Sequence, residues 1–265
     1  MRFRVNTIMR LSHATPAIVL RSRPFGESDK IVSLLTKDFG KISGIAKGAM
    51  RSRKRFVNSL EPFALVNLRF QDRPHSNLVF ILTADLTIGY RQLVNSLESI
   101  SHAAYLIEIT EGLIAEREQN QAVYQHLSQG LSYLEKYGTS LRFLTWFELK
   151  LLRLVGYQPA LDRCRRCAKV SLHEAVLPWF FSLVDGGILC DTCAISRRET
   201  LPLGAKAVEI LAALQSESND LSASFLVSLS IVNQIRAVML RFIQFHMARE
   251  IKSAVFLGSQ HLKST

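Results

Sequence analysis

The sequence predicts an α+β protein of more than one domain, in which a five-stranded β-barrel precedes an all-helical domain. Short runs of β-forming residues, separated by turn signals, recur through the first 82 residues. After about residue 85 the apolar period lengthens from two residues to three or four, which is typical of helices. The chain has 265 residues, 48% of them hydrophobic, so it can bury the core of one large or two modest domains.

Five runs predict the strands of the barrel. They are AIVLRSRP (17–24), KIVSLLT (30–36), KISGIAK (41–47), FALVNLRF (63–70) and NLVFIL (77–82). The fourth run alternates, with Ala64, Val66 and Leu68 on the face that we expect to enter the core. Five strands in about 70 residues fit a small barrel such as an OB-fold, which we place at 17–83. We expect residues 1–16 to form a disordered extension, although an Arg-rich, acid-free start also fits an organelle targeting peptide.

The remainder, 84–265, predicts the helical domain. Its first apolar stripes are Leu93, Leu97, Ile100, Ala104 and Ile107, followed by Val123, Leu127, Leu131 and Leu134. A helix over 139–156 is predicted to begin at the capping residues Thr139 and Ser140 and to end at Gly156. Two more helices are predicted at 205–215 and at about 221–246.

Basic residues are concentrated in the first third of the chain. The whole sequence has 33 Lys or Arg against 22 Asp or Glu, a net charge of +11, while residues 1–80 alone have 15 against 5. Residues 39–60 contain no acid and include the densest basic run, KGAMRSRKR (47–55). Such a surplus predicts a partner that carries phosphates or an anionic lipid surface.

The setting of the basic run favours nucleic acid. Small barrels bind single strands by combining a cationic groove with aromatic rings on which bases stack. Phe25 and Phe56 are candidate stacking platforms, although Phe56 fits the core better. We expect Gly44 and Gly48 to let the backbone approach a ligand. A solvated face and a nuclear localisation signal are the simpler explanations of the same run.

All four cysteines lie in a stretch that interrupts the helices at about 157–200. They form two C-x2-C pairs, Cys164 with Cys167 and Cys190 with Cys193, with 22 residues between the pairs. This spacing predicts one structural Zn²⁺ per chain, because each pair aims two sulfurs at one point and four thiolates leave no open catalytic position. Disulfides and a redox pair are the alternatives. Basic residues that we expect to offset the thiolate charge are Arg163, Arg165, Arg166 and Lys169.

The sequence carries no recognisable catalytic motif. It has no glycine-rich phosphate loop, no HExxH, no GxSxG and, in the basic third, no acidic cluster for Mg²⁺. We therefore expect a protein that is not an enzyme. A zinc-containing nuclease or other nucleic-acid-processing enzyme is the alternative, and a purely protein-binding adaptor is a third. No run reaches the roughly 18 apolar residues of a membrane-spanning helix, so a soluble protein is predicted.

Five segments together resemble the RecO family of bacterial recombination mediators. They are VLRSRPFGESDKIVSLLT, GKISGIAKGAMRSRKRF with LEPF, FELKLLRLVGYQPALDRCRRC, GGILCDTC and REIKSAVFL. In this order they cover about 17–257, and residues 1–16 fall outside the resemblance. The resemblance implies an N-terminal OB-fold, a helical domain and, at about 157–200, a zinc-ribbon-like insertion.

The resemblance also implies a cytoplasmic, nucleoid-associated function in DNA repair. Members of the family bind single- and double-stranded DNA, anneal complementary strands, associate with RecR, and assist RecA loading onto DNA coated by single-stranded-DNA-binding protein. They have no turnover site and no membrane partner. The residues that match the basic part of the family's barrel are Arg21, Arg23, Lys47, Arg51, Arg53, Lys54, Arg55 and Arg69.

A second site is implied on the helix that matches 139–155. Family members bind there the acidic, phenylalanine-ended C-terminal tail of single-stranded-DNA-binding protein. A basic residue that receives this tail in one branch of the family aligns with Thr145 of this sequence. Arg142 is therefore the nearest candidate for that contact.

Overall fold

The computed structural model describes residues 11–170, 178–195, 199–216 and 228–257. The chain divides into two compact units. The first unit comprises the chain up to Gln92 together with the later segment Ile114–Ser132. The second includes Leu93–Leu113 and the chain from Tyr133 onward.

The first unit contains a closed barrel of five strands. The strands are β1 (Ser12–Phe25), β2 (Asp29–Thr36), β3 (Gly40–Ala46), β4 (Leu65–Gln71) and β5 (Leu78–Ile88). Their order around the barrel is β1-β2-β3-β5-β4, and β4 closes the barrel by pairing with β1. The pairs are antiparallel except for β3 with β5, which is parallel. The five strands and their closure confirm the predicted OB-fold.

Alternate residues of the five strands fill the barrel. Those with at most 3% exposure include Ala17, Val19, Val32, Leu34, Ile42, Val66, Leu68, Phe70, Val79 and Ile81. The inward face that was predicted for β4 is confirmed. Side chains alternate along a strand, so the residues between these positions face outward. Full burial of one Val, Leu, Ile or Phe side chain contributes about 1.5–3 kcal/mol.

The first strand begins before the predicted position. β1 starts at Ser12 because Ser12–Ile18 pairs in register with β4, which satisfies the backbone of a segment too polar to be recognised as a strand. The Thr15 hydroxyl also donates to Asp38 Oδ2 at 2.7 Å. Part of the extension that was predicted to be disordered, 1–16, therefore belongs to the barrel. Residues 1–10 lie outside the described residues.

Helices predominate in the second part of the chain. They are α1 (Leu97–Leu113), α2 (Gln121–Tyr137), α3 (Leu141–Leu154), α4 (Asp191–Ala194), α5 (Ala205–Ser216), α6 (Leu229–Met247) and α7 (Ala254–Leu257). Within the described ranges, no helix has the length and apolar character needed to cross a bilayer. A three-stranded sheet of order β7-β6-β8 lies between α3 and α5 in sequence. Its strands are β6 (Trp179–Ser182), β7 (Gly187–Cys190) and β8 (Thr200–Leu203).

Three of the predicted helices agree closely with the structure, and one of them is α5, which was predicted at 205–215. The Ser140 hydroxyl caps α3 by accepting a hydrogen bond from the Phe143 N–H at 3.1 Å. Gly156 follows the helix with a φ of +85°, a conformation that favours glycine. The stripe predicted for α2 is buried throughout; it consists of Val123, Leu127, Leu131 and Leu134.

The stripe predicted for α1 is confirmed only in part, because Leu93 and Ile107 are buried but Leu97 is not. Leu97 is 68% exposed, and Leu93 lies before the helix. Instead, α1 is buried on several sides, through Ala103, Tyr105 and Leu106 as well as polar residues. A helix enclosed on several sides has no single apolar stripe, so the three-to-four-residue period is misleading here.

A buried ion pair lies among α1, α3 and α6. Arg236 of α6 donates from Nη1 to both carboxylate oxygens of Glu148, at 2.7 and 2.8 Å. The Tyr105 hydroxyl of α1 donates to the same carboxylate. Burial and the Glu148 charge raise the pKa of Tyr105 well above its ordinary value. Burial alone would lower the pKa of Arg236, but Glu148 raises it, so Arg236 stays charged.

Candidate nucleic-acid interface and metal site

The long loop between β3 and β4 is anchored to the turn between β1 and β2. In this loop Gly48, which follows Lys47, has a φ of +66° and donates its N–H to Asp29 Oδ1 at 2.8 Å. Met50, in a short 3-10 turn, donates its N–H to the Ser28 carbonyl at 2.9 Å. The positive φ favours glycine at position 48. These contacts give the basic run a defined position on the barrel.

Five cations of this loop point into solvent. Lys47, Arg51, Arg53, Lys54 and Arg55 are all exposed. Among the residues that the structure describes, none of the five forms an ion pair with a carboxylate. Arg55 instead donates to the Lys47 carbonyl at 2.7 Å and so links the two ends of the run. The loop therefore presents its charge outward.

The remaining predicted DNA contacts fall in two places. Arg21 and Arg23 are exposed on β1 and pair in register with Ser33 and Ile31 of β2. Directly paired residues share a face, so both arginines flank the outer face of β2 and β3, where OB-folds bind oligonucleotides. Arg69 is exposed on β4, opposite Ala14 and Thr83. It lies on another part of the barrel wall.

One sequence-based assignment in this region is wrong and another is confirmed. A Cβ on Gly44 would lie 2.8 Å from the side chains of Val79 and Ile81, so this glycine makes room for the core and does not receive a ligand. Phe56 is 5% exposed and belongs to the barrel core, which confirms the placement that the sequence favoured. Phe25 is 50% exposed.

An aromatic residue on the outer face of the barrel was not predicted from the sequence. Phe80 of β5 lies between the inward-facing Val79 and Ile81, and its half-buried ring has two cations near it. The Arg73 guanidinium carbon is 4.6 Å from the ring centroid, and Lys47 Nζ is 6.0 Å from it. The alternation of NLVFIL could have revealed the outward ring, but the position of Arg73 depends on the fold.

The four cysteine sulfurs converge on one point. All four Sγ atoms lie within 4.8 Å of one another, and those of Cys167 and Cys190 are 3.6 Å apart. A tetrahedron with metal–sulfur bonds of about 2.3 Å has its sulfurs about 3.8 Å apart. The four residues Cys164, Cys167, Cys190 and Cys193 therefore fit a tetrathiolate metal site, as their spacing predicted.

Backbone geometry prepares the first cysteine for a metal. Cys164 donates its N–H to the Lys169 carbonyl at 2.8 Å, which closes a tight turn. Burial alone would raise the pKa of the Cys164 thiol, but the N–H groups of Cys167, Cys190 and Arg166 lower it to about 6. A hydrogen bond with Cys190 raises the pKa of Cys193 to about 12. Four clustered thiolates would repel one another, so the four thiols do not readily ionise together. A bound cation would offset this repulsion.

The basic residues around the first cysteine pair have specific partners. Arg163 Nε is 2.7 Å from Asp162 Oδ2, and Arg166 Nε is 3.5 Å from Asp185 Oδ1. Arg165 Nε donates to the Asp185 carbonyl at 3.1 Å. Part of the charge that was expected to offset the thiolates is therefore directed at carboxylates.

The predicted partner-tail contact lies on a helix that is mostly enclosed. Arg142 is half-buried near the start of α3. Leu144 is fully buried, and Thr145 is 1% exposed. The site assigned to Arg142 stays a prediction.

The fold and its sites define an OB-barrel protein with helical elements and a four-cysteine, zinc-ribbon-like insertion. A family model described as the N terminus of recombination protein O matches residues 9–90, and a model of its C terminus matches 94–254. The chain belongs to the RecO family.

Curated relatives of the chain carry the same family name. A DNA repair protein RecO from Syntrophus aciditrophicus is 30% identical over 92% of this chain and 94% of its own length. The protein of that name from Anaeromyxobacter dehalogenans strain 2CP-C is 32% identical over 91% and 93%. The one from Syntrophotalea carbinolica is 33% identical over 92% and 93%.

Proposed function

We propose that this protein is a recombination mediator in DNA repair that binds single- and double-stranded DNA and is not an enzyme. Membership of the RecO family and the names of its relatives support the repair function. The proposed DNA-binding domain is the barrel, 17–83, and the helical domain is 84–265. The proposed contacts are Arg21, Arg23, Lys47, Arg51, Arg53, Lys54, Arg55 and Arg69.

The exposed basic loop carries the proposal. Its five cations are solvent-facing, lack carboxylate partners among the described residues, and are held on the barrel by the Gly48 and Met50 hydrogen bonds. Each cation that meets a phosphate releases a condensed counterion, which supplies affinity without reading sequence. Weak sequence preference is therefore expected.

The same charge would promote annealing of complementary strands. Two strands repel through their phosphates, and a cationic surface that holds both lowers this repulsion while the base edges stay free to pair. Contacts to backbone and to base faces leave the Watson–Crick edges available. Annealing therefore needs no catalytic group.

Further partners of the proposed function come from the family resemblance. They are RecR, the C-terminal tail of single-stranded-DNA-binding protein at Arg142, and, indirectly, RecA. The proposed metal is one structural Zn²⁺ held by the four cysteines, which would stabilise the insertion. The proposed location is the bacterial nucleoid.

The test removes charge from the loop. In the loop variant, Arg51, Arg53, Lys54 and Arg55 are replaced by Ala; in the control variant, the exposed Lys136, Arg153, Arg241 and Lys252 are replaced by Ala. Fluorescence anisotropy on an unstructured oligonucleotide gives the dissociation constant between 50 and 200 mM salt. If about 6 to 10 phosphates are neutralised, wild-type affinity falls about 10³- to 10⁵-fold over this range. Loss of four contacts should lower the salt slope by about 3 for single strands.

Only the loop variant should lose affinity. Equal dissociation constants for the loop variant and wild type would contradict the proposal and leave the basic run as a solvated face. Equal losses in both variants would mean that net charge, and not the loop, binds DNA. Incubation of wild type with labelled DNA and Mg²⁺ should leave the DNA intact; cleavage would favour the nuclease alternative.

A further inference from the structure

One row of residues crosses four neighbouring strands of the barrel on its outer face. In register, Arg23 of β1 pairs with Ile31 of β2, Ile31 with Ile45 of β3, and Ile45 with Phe80 of β5. Neighbouring strands are about 4.8 Å apart, so the row is about 14 Å long. That length matches about four stacked nucleotides at about 3.4 Å each. OB-folds bind single strands in sites of about 4 nucleotides or more.

The chemistry of the row changes from one end to the other. Arg23 is an exposed cation at the β1 end. Ile31 and Ile45 form an apolar middle, with Ile45 only 6% exposed. At the β5 end, the Phe80 ring lies 4.6 Å from the Arg73 guanidinium carbon and 6.0 Å from Lys47 Nζ. Cations at both ends fit phosphates, and the aromatic ring fits a base.

The barrel core fixes the direction of the Phe80 ring. Val79 and Ile81 on either side are 1% and 3% exposed and fill the space that Gly44 leaves open. Because side chains alternate along a strand, Phe80 must face outward. Its position therefore does not depend on a flexible loop.

We propose that Phe80, together with Arg73, is a stacking platform for one unpaired base of single-stranded DNA, with Lys47 placed to contact an adjacent phosphate. The inference rests on the proposed function and deepens it. Bases stack both on aromatic rings and on arginine guanidinium planes. In a duplex, each base face is covered by its neighbours, so the platform acts on single strands and favours them over duplex.

Phe25, which is exposed near the β1 end of the row, is a poorer platform than the half-buried Phe80. Phe25 pairs in register with Asp29 at the end of β1, and the exposed Glu27 lies in the same turn. Two carboxylates next to Phe25 would repel the sugar-phosphate backbone. Phe25 therefore serves as a matched control that removes an exposed ring from the same barrel.

The first experiment compares Phe80→Leu and Phe25→Leu with wild type. Anisotropy is measured with an oligothymidine and with a duplex of equal length, at one salt concentration. Loss of one stacked base should weaken single-strand binding by Phe80→Leu about 5- to 150-fold. Duplex binding by the same variant should stay within about twofold of wild type, as should single-strand binding by Phe25→Leu.

A second variant reports on stacking itself. Phe80→Trp retains a large aromatic face, and its indole emission is read as the difference from wild type. We expect oligothymidine to quench that emission and duplex of equal length not to quench it. The quenching measurement uses a variant that keeps an aromatic ring at position 80, so it can still be made if Phe80→Leu fails to fold.

The outcomes separate this inference from the proposed function. The platform would be overturned if Phe80→Leu bound single strands as tightly as wild type, or if it lost equal affinity for single strands and duplex. It would also be overturned if Phe25→Leu lost as much single-strand affinity or more, or if DNA left the indole emission of Phe80→Trp unquenched. The salt dependence of wild type and the deficit of the loop variant would then still support DNA binding. If wild type binds no DNA at all, both proposals fail.

Discussion

Glu148 is a single carboxylate whose environment decides its effect on stability. It is 0% exposed on α3, and Arg236 and the Tyr105 hydroxyl bind it. Replacing a complete buried ion pair by apolar residues is often neutral, whereas removing one partner leaves an unpaired buried charge. The pair therefore links α1, α3 and α6 through side-chain hydrogen bonds.

Glu148→Gln should lower the free energy of unfolding by about 3–5 kcal/mol, because it leaves Arg236 charged and largely buried without a carboxylate. Urea unfolding followed by tryptophan fluorescence measures this, since both tryptophans, Trp146 and Trp179, belong to the second unit. The control is Glu209→Gln, which removes an exposed pair with Lys206 at 2.9 Å and should cost less than about 1 kcal/mol. Similar losses in the two variants would contradict the assigned importance of the buried pair.

At single positions, the sequence predicts roles that depend on neighbours in the chain. Ser140 caps α3 and Gly156 ends it because both signals are local. The partners of Glu148 could not be predicted, since Arg236 is 88 residues away. Gly44 was misassigned for the same reason, because the side chains that fill its space come from β5.

At the scale of elements, the two cysteine turns could be predicted from the sequence, but the short strands next to them could not. The spacing of the pairs indicates the metal site, and the four sulfurs converge as expected. The pairing of Cys190 with Trp179 between β7 and β6, by contrast, depends on strands too short to recognise from pattern alone. Likewise, β1 extends to Ser12 only because β4 is available to pair with it.

Metal removal should destabilise the insertion. Elemental analysis of purified protein is expected to give about one zinc per chain, and Cys164→Ser should lose the metal and unfold at lower temperature. The reason is that zinc affinity, about 10 to 16 kcal/mol in zinc-finger peptides, is folding free energy. Thr192→Ala, an exposed change next to Cys193, is the matched control and should keep both metal and stability. Metal-free protein with two disulfides would refute the site.

At the scale of the whole molecule, charge and architecture divide the chain in the same way. Residues 1–80 have 15 Lys or Arg against 5 Asp or Glu, and the rest has 18 against 17. The two family models likewise match 9–90 and 94–254. Composition and periodicity thus predict the order of the architecture. They could not predict that Ile114–Ser132 groups with the barrel, because that grouping depends on contacts between distant segments.

Annealing tests whether the charge of the whole barrel works on two strands together. Because a surface that holds both strands lowers their mutual repulsion, wild type should speed the pairing of complementary oligonucleotides at 50 mM salt, and 200 mM salt should largely remove the effect. The loop variant should anneal at least about tenfold more slowly than wild type, since it lacks four phosphate contacts. Energy transfer between dye-labelled strands gives the rate.

The control variant, which loses the same four charges from outside the barrel, should anneal like wild type. This comparison separates a local cationic surface from the net charge of +11, to which both variants make equal changes. If the loop variant kept its DNA affinity but lost annealing, the loop would be needed to bring strands together and not to bind one. If it kept both activities, the phosphates would have to be held by other residues, and the barrel loop would have no part in the reaction.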